Sequence, residues 1–360
     1  MKILQIINSL HFGGAEKLLV ESIPLYKEKG LIMDILLLNG ERTPFYDELK
    51  NKNVNIIHLN SNRSLYSPLH INALRKYLKR YDIVHVHLFP ALYWVALANI
   101  FKTKKPKLVL TEHNTENRRR KITIFKYLDK FIYSKFSRII AISDGVASNL
   151  KTHLSNSKTS ISVINNGINL EAIKKATPYK NSDLGIPEES KVVIQVSSFT
   201  SQKDQKTLIK AMSSISKNVH LLLIGDGPLK NENEALVKKL QLEQRVHFLG
   251  HRSDVPKLVN TADISVLSSH YEGFGLAIVE GMAAGNASIG SNVPGLSEII
   301  GQDGVLFEPG HDRELQDIIE KLISDKDYYK QISEKCLKKS NQYDINQMVE
   351  KYINVYNEIT

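Results

Sequence analysis

The stretch Glu272-Gly273-Phe274-Gly275-Leu276-Ala277-Ile278-Val279-Glu280-Gly281-Met282-Ala283-Ala284-Gly285 lies between two short runs, 264–267 and 288–290. The first run, Ile-Ser-Val-Leu, is mostly apolar and half β-branched, and the second is Ser-Ile-Gly. Residues 276–284 have helical length and composition, and Gly285 follows where a helix would stop. Strand, glycine loop, helix and strand in that order form a unit of parallel sheet. The same alternation extends in both directions. Upstream in the second half, strands are expected at 192–196, 221–224 and 246–249, with helices at 204–215 and 229–240. Downstream come a strand at 304–307 and helical patterns at 312–323 and about 345–359. The first half repeats the pattern, with strands at 3–7, 33–38, 54–59, 82–88, 108–111, 138–142 and 162–164. Its helices are expected at 15–29, 68–80, 90–101 and 123–135. Unbroken apolar strands alternating with helices predict parallel sheets covered on both faces. The polar stretch 169–191, with Pro178, Gly185 and Pro187, reads as a linker. The fold class is therefore α/β, with two Rossmann-like domains facing across a cleft. Ligands of such sheets bind beyond the carboxyl ends of the strands, so the loops that follow strands are the ones to inspect.

The chain has 360 residues, 42% of them hydrophobic and 24% charged, with 19 Gly and 11 Pro. These values exclude a disordered or collagen-like chain. The single cysteine, Cys336, excludes a disulfide scaffold and a cysteine zinc finger, and it suits a reducing, cytoplasmic compartment. Residues 88–101 form the longest greasy stretch, which is too short to span a bilayer. The first ten residues read as a strand, not a signal peptide. Of the net charge of +10, residues 1–170 carry +14 and the remainder −4. A basic first half attracts nucleic acid, anionic lipid or phosphorylated substrates. No helix-turn-helix, zinc-finger or ribonucleoprotein signature accompanies it, which argues against nucleic acid.

Several loops could carry chemistry. Gly13 and Gly14 follow the first strand and open a helix, a place that suits a phosphate or simply a tight turn. They form neither a dinucleotide fingerprint nor a Walker loop. His113 ends the fifth expected strand, where a satisfied polar residue and a reactive one are both plausible. Arg118, Arg119, Arg120 and Lys121 form a run of cations, with Lys102, Lys104, Lys105 and Lys107 just upstream. Such a run is either a solvated face or a patch for an anionic acceptor or membrane surface. Lys203, at a strand-to-helix turn, can hold a phosphate as a point charge. Gly225 and Gly227 form a glycine turn that could lie against a flat base. Gly273 and Gly275 precede a helix whose free N–H groups suit phosphate. Glu280 interrupts an apolar helix, and Glu272 lies eight residues earlier. Two carboxylates around a glycine loop suit recognition of vicinal hydroxyls.

These pieces resemble the retaining glycosyltransferases of family 4, with the GT-B fold, over nearly the whole chain. The matching motifs are Gly13-Gly14-Ala15-Glu16, Asn166-Gly167, Lys203, Gly225-Asp226-Gly227-Pro228, the Glu272…Glu280 pair with its Gly-Phe-Gly, and Gly304-Val305-Leu306-Phe307-Glu308-Pro309-Gly310. The resemblance implies an acceptor-binding domain at 1–168, a nucleotide-sugar domain at 169–343 and a last helix, 344–360, that packs back on the first domain. It implies that Lys203 and the Gly13-Gly14 backbone hold a diphosphate, with the glycine turn at Gly225 and Gly227 also at the donor. Glu280 would bind the ribose, and Glu272 the transferred sugar. The backbone of Phe274, Gly275 and Leu276 would lie against sugar and phosphate, and His113 would contact the sugar near the reacting face. The implied reaction moves a sugar from a UDP or GDP donor to a glycan or polyprenyl-linked acceptor in bacterial surface polysaccharide assembly. It proceeds with retention, needs no cofactor or metal, and takes place in the cytoplasm or on the inner face of the membrane. A sugar-nucleotide 2-epimerase shares this architecture and is the alternative. The sequence departs from the family at three places. Ser198 stands where an arginine is usual, Gly281 where an alanine is, and Asn286-Ala287-Ser288 where Leu-Pro-Val is. Asp325-Lys326-Asp327 lies between helices and reads as solvated charge, not a metal motif.

Overall fold

The structure, a computed structural model, describes residues 1–59, 63–100, 105–115, 118–155 and 159–360, with the backbone alone at Arg118 and Lys121. Lys102, Lys104 and Asn117 of the basic stretches lie outside the described residues. The chain divides into two compact units, residues 1–167 with 345–360 and residues 168–344.

The first unit holds seven strands: β1 (Lys2–Ile7), β2 (Ile32–Leu37), β3 (Asn55–His58), β4 (Ile83–His87), β5 (Lys107–Glu112), β6 (Arg138–Ala141) and β7 (Ile161–Val163). All pair in parallel, in the order β3-β2-β1-β4-β5-β6-β7. Side chains alternate across a strand, so each apolar run feeds two cores. Leu4, Ile6, Leu36, Val84, Val86, Leu108, Leu110 and Ile139 line one face. Ile3, Ile7, Ile35, Leu37, Ile83, Val109 and Ile140 line the other. The C-terminal helix Ile345–Ile359 packs on that second face. It contributes Ile345, Met348, Val349, Tyr352, Val355 and Tyr356, whose spacing is the stripe of an amphipathic helix.

The second unit holds β8 (Lys191–Val196), β9 (Val219–Ile224), β10 (Val246–Gly250), β11 (Ile264–Leu267), β12 (Ala287–Ser291) and β13 (Val305–Phe307). They form a parallel sheet in the order β10-β9-β8-β11-β12-β13. The polar stretch 169–191 is not a free linker. It buries Leu170, Ile173 and Ile186, and Asn260 Nδ2 donates to the carbonyls of Ile173 and Ala176 at 2.7 Å each. Asp325 of the Asp-Lys-Asp sequence caps the helix Lys326–Ser340 by accepting from Tyr328 N at 2.9 Å.

In each sheet the strand order reverses at one place, between β1 and β4 and between β8 and β11. There the loops leaving adjacent strands diverge and leave a crevice.

Candidate active site

In the second unit the two loops at the reversal are 197–204, after β8, and 268–275, after β11. Three buried polar side chains set the first loop. Gln195, on β8, donates to the Lys203 carbonyl at 3.0 Å, and Gln205 donates to the Ser198 carbonyl at 2.9 Å. The Ser268 hydroxyl lies 3.0 Å from Gln195 Oε1 and 2.8 Å from the Asp204 carbonyl. Two further bonds join the loops, His270 N to the Gln202 carbonyl at 2.8 Å and Gln202 Nε2 to the Tyr271 carbonyl at 2.9 Å. Lys203 and Glu272, 69 residues apart, thereby form an ion pair at 18% and 12% side-chain exposure. Ser269 Oγ and Gly273 N each lie 3.3 Å from the Glu272 carboxylate. The unit thus presents a cation and a carboxylate held against each other at a crevice.

The glycines around this pair mostly serve the loops themselves. A Cβ on Gly225 would stand 2.2 Å from the Ser197 carbonyl oxygen, and one on Gly227 2.6 Å from that of Phe199. Both positions lie against the backbone of the Lys203 loop, which leaves no room for a Cβ. Gly295 was not singled out by sequence, yet a Cβ there would stand 2.4 Å from the Glu272 carbonyl oxygen. Gly275 caps the helix Leu276–Ala283 with a φ of 87°. Phe274 buries its ring edge-on against Tyr343 at 5.4 Å, which leaves its backbone to the loop. Glu280 lies in that helix at 7% exposure. Gly281 packs on Ser265 of β11, whose Oγ would stand 2.2 Å from an added Cβ.

In the first unit Gly13 is the N-cap of helix Gly14–Glu28. The Glu16 carboxylate folds back over it, so that a Cβ on Gly13 would stand 2.3 Å from Oε2. Burial pushes the Glu16 carboxyl up to about 7.

His113 lies just past β5, on the same face as Gln5, His85, His87 and Thr111, polar side chains that sit beneath the C-terminal helix. They form one hydrogen-bonded chain. His87 Nε2 lies 2.8 Å from Gln5 Oε1, a carbonyl, so it must donate. Burial holds His87 well below its ordinary pKa and His113 down to about 4. Neutral His87 therefore accepts at Nδ1, and His113 donates to it from Nε2 at 3.0 Å. His113 is left with Nδ1 as an acceptor. On the other side Gln5 Nε2 donates to Tyr356 at 3.3 Å. Tyr356 OH then donates to His85 Nδ1 at 2.6 Å, and His85 Nε2 to Thr111 at 2.7 Å. Only the parity of Ile83-Val84-His85-Val86-His87 hinted at this cluster, since residues two apart share a strand face.

The reading of the cation run is corrected at its two described side chains. Arg119 and Arg120 are neither solvated nor part of a surface patch. Arg119 is buried, pairs with Asp129 at 3.4 Å, donates to Tyr133 OH at 3.0 Å and lies 4.4 Å over the Phe89 ring. Arg120 pairs with Glu112 at 2.8 Å and donates to Asn149 at 3.1 Å. Glu112 and Asp129 are themselves buried, and Asp129 also takes His153 Nε2 at 2.8 Å. Buried carboxylates need counter-charges, and the two arginines supply them.

Two family models match the chain, that of glycosyltransferase family 4 over residues 12–172 and that of the group 1 glycosyl transferases over residues 178–339. The chain belongs to the family 4 glycosyltransferases, and its two parallel-sheet α/β units are of the GT-B fold. It is 30% identical over 292 residues to the N-acetyl-alpha-D-glucosaminyl L-malate synthase of Bacillus anthracis, covering 77% of this chain and 75% of that protein. It is also 30% identical over 303 residues to the UDP-Gal:alpha-D-GlcNAc-diphosphoundecaprenol alpha-1,3-galactosyltransferase of Escherichia coli, covering 78% and 74%. In structure it is similar to Anabaena HepE solved with UDP and glucose, at a TM-score of 0.89, 24% identity, and 99% and 100% coverage.

Proposed function

We propose that the protein is a retaining hexosyltransferase that works without a metal. It moves a sugar from a UDP or GDP donor to a hydroxyl of a polyprenyl-linked or glycan acceptor, in assembly of a bacterial surface polysaccharide at the membrane's inner face. The observation that carries this reading is the Lys203–Glu272 pair at the strand reversal of the second unit. A diphosphate takes Lys203 as its counter-ion, and the N–H groups at Gly273 to Leu276 add positive potential. Glu272, released from Lys203, turns its charge to the sugar ring as positive character builds there. Negative charge grows on the leaving diphosphate at the same moment, and the ammonium stabilises it where a metal would otherwise be needed. Glu280 accepts from the ribose hydroxyls. The resemblance adds Gly13 and Gly14 at the diphosphate and His113 at the sugar, where its Nδ1 acceptor suits a hydroxyl.

A lipid-linked acceptor is favoured by the similarity to the Escherichia coli galactosyltransferase, which acts on a diphosphoundecaprenol-linked sugar. The test is a turnover screen over UDP- and GDP-sugars with and without a prenyl-diphosphate-linked sugar. Proton NMR reads the product anomer, and EDTA is added in parallel. Acceptor-dependent, EDTA-resistant transfer with retained configuration is expected. Epimerisation of the donor alone would instead establish the 2-epimerase. Loss of activity in EDTA that Mg²⁺ restores would overturn the metal-free chemistry.

A further inference from the structure

Gln5, His87 and His113 form a diagonal line across three adjacent strands. Gln5 on β1 lies beside His85 of β4, and its carbonyl bonds His87, two residues further along that strand. His87 lies beside Thr111 of β5 and bonds His113, two residues further again. Each step moves toward the carboxyl ends of the strands. The line therefore starts inside the core and ends where ligands of such sheets bind. Gln5 and His87 are 1% and 3% exposed. Hydrogen-bonded polar groups this deep gain the core little over apolar ones of the same shape.

The line also has a direction. Met33 Sδ lies 3.3 Å from Gln5 Nε2, and a thioether only accepts, so the amide nitrogen faces it and the carbonyl oxygen faces His87. Tyr356 OH accepts from the same nitrogen at 3.3 Å and holds the same orientation. His87 therefore donates from Nε2 and, being neutral, accepts at Nδ1. His113 donates into it from Nε2 and keeps an Nδ1 that accepts and cannot donate. A hydroxyl satisfies such a nitrogen by donating to it. A group that only accepts does not.

We propose that Gln5 and His87 are positioning residues that hold His113 as a pure acceptor, so that the site demands a hydrogen-bond donor on the transferred sugar. The inference rests on the reading that puts this sugar at His113.

The full chain is isotope-labelled at its histidine nitrogens. Long-range proton–nitrogen correlations then read which nitrogen of each ring carries the proton, and His113 is assigned by the signal lost in His113→Gln. The parent should show His113 protonated at Nε2. Gln5→Leu takes the acceptor from His87 Nε2, so His87 should turn its proton to Nδ1 and drive the His113 proton to its own Nδ1. His87→Asn keeps a carbonyl oxygen for His113 Nε2 and should preserve the parent pattern. Tyr356→Phe should preserve it too, since it removes a buried hydroxyl from the same cluster but spares Gln5 Oε1. If circular dichroism shows Gln5→Leu unfolded, His87→Leu replaces it, with His113 expected in both forms. Rates are then measured with the cognate donor and with its deoxyfluoro analogues, one hydroxyl replaced at a time, because fluorine never donates. For one analogue the parent's preference for the hydroxyl should exceed that of Gln5→Leu by about tenfold. Electron withdrawal by fluorine acts equally in both proteins and cancels. An unchanged His113 pattern in Gln5→Leu overturns the proposal, as does the same shift in Tyr356→Phe or an equal preference at every position. Absence of transfer from any donor would sink the activity, and the ring pattern alone would then decide the relay. Transfer with an unmoved ring pattern would sink the relay and leave the activity standing.

Discussion

Replacing Glu272 by glutamine removes the charge that occupies Lys203 and keeps the side chain's volume and one acceptor oxygen. In the protein alone the Lys203 ammonium is paired with the Glu272 carboxylate at 18% and 12% side-chain exposure. A nucleoside diphosphate that takes Lys203 must first break that pair. A hydrogen bond between charged groups contributes about 1.5–3 kcal/mol. The residual exposure screens it, and about 1–2 kcal/mol is a fair net value. Glu272→Gln should therefore tighten binding of free UDP or GDP by about tenfold, the equivalent of about 1.4 kcal/mol. Turnover should move the other way, falling by about a hundredfold, because the carboxylate's work is done on the charge of the reacting sugar. The assay is calorimetry with the free nucleotides beside initial rates with the cognate donor. A higher salt concentration should shrink the gain in affinity. Lys203→Ala should weaken the same nucleotides, and adding Glu272→Gln to it should bring no further gain. If Glu272→Gln weakens nucleotide binding or leaves it unchanged, Lys203 is not the diphosphate's counter-ion and the pair is structural.

Three further outcomes follow from the packing. Gly281→Ala should destabilise the second unit by about 1–3 kcal/mol in urea melts, through overpacking against Ser265. A second change, Ser265→Gly, should recover most of that loss. The buried histidines should make stability fall in acid: His85 is held down to about 3 and His113 to about 4, against 6.5 when unfolded. Between 6.5 and those values the unfolded chain binds more protons, so each site lowers stability by up to about 1.4 kcal/mol per pH unit as pH drops, and thermal melts of His85→Gln should show a shallower decline. Arg120→Ala, which strands Glu112, should cost about 3–5 kcal/mol of stability, read by thermal denaturation.

The strands were legible because a parallel strand buried on both faces leaves an unbroken apolar run, as in residues 192–196 and 221–224. Helices that bury narrow stripes were not. Lys326–Ser340 buries only Ile332, Cys336 and Ser340, and its many charges hid it. Pro44–Asn51 carried a readable start, Thr43 capping Tyr46 N at 3.2 Å with Pro44 after it, but its body is too short to show a period. The order of the strands was not legible at all. Runs of apolar residues show that a strand exists and leave open which strand lies beside it. Yet the adjacency of β8 and β11 is what brings Lys203 to Glu272 across 69 residues. The cation run misled for a related reason. A sequence shows four neighbouring positive charges, whereas the carboxylates that bury two of them sit on a strand end and a helix turn. Gly281 shows the same limit from the other side. As a single departure from the family it looks like a weakness in the donor helix. In the structure Ser265, on a neighbouring strand, fills the room an alanine would need. The two positions form one packing solution. A reading that takes residues one at a time sees the loss at Gly281 and misses the compensation sixteen residues away.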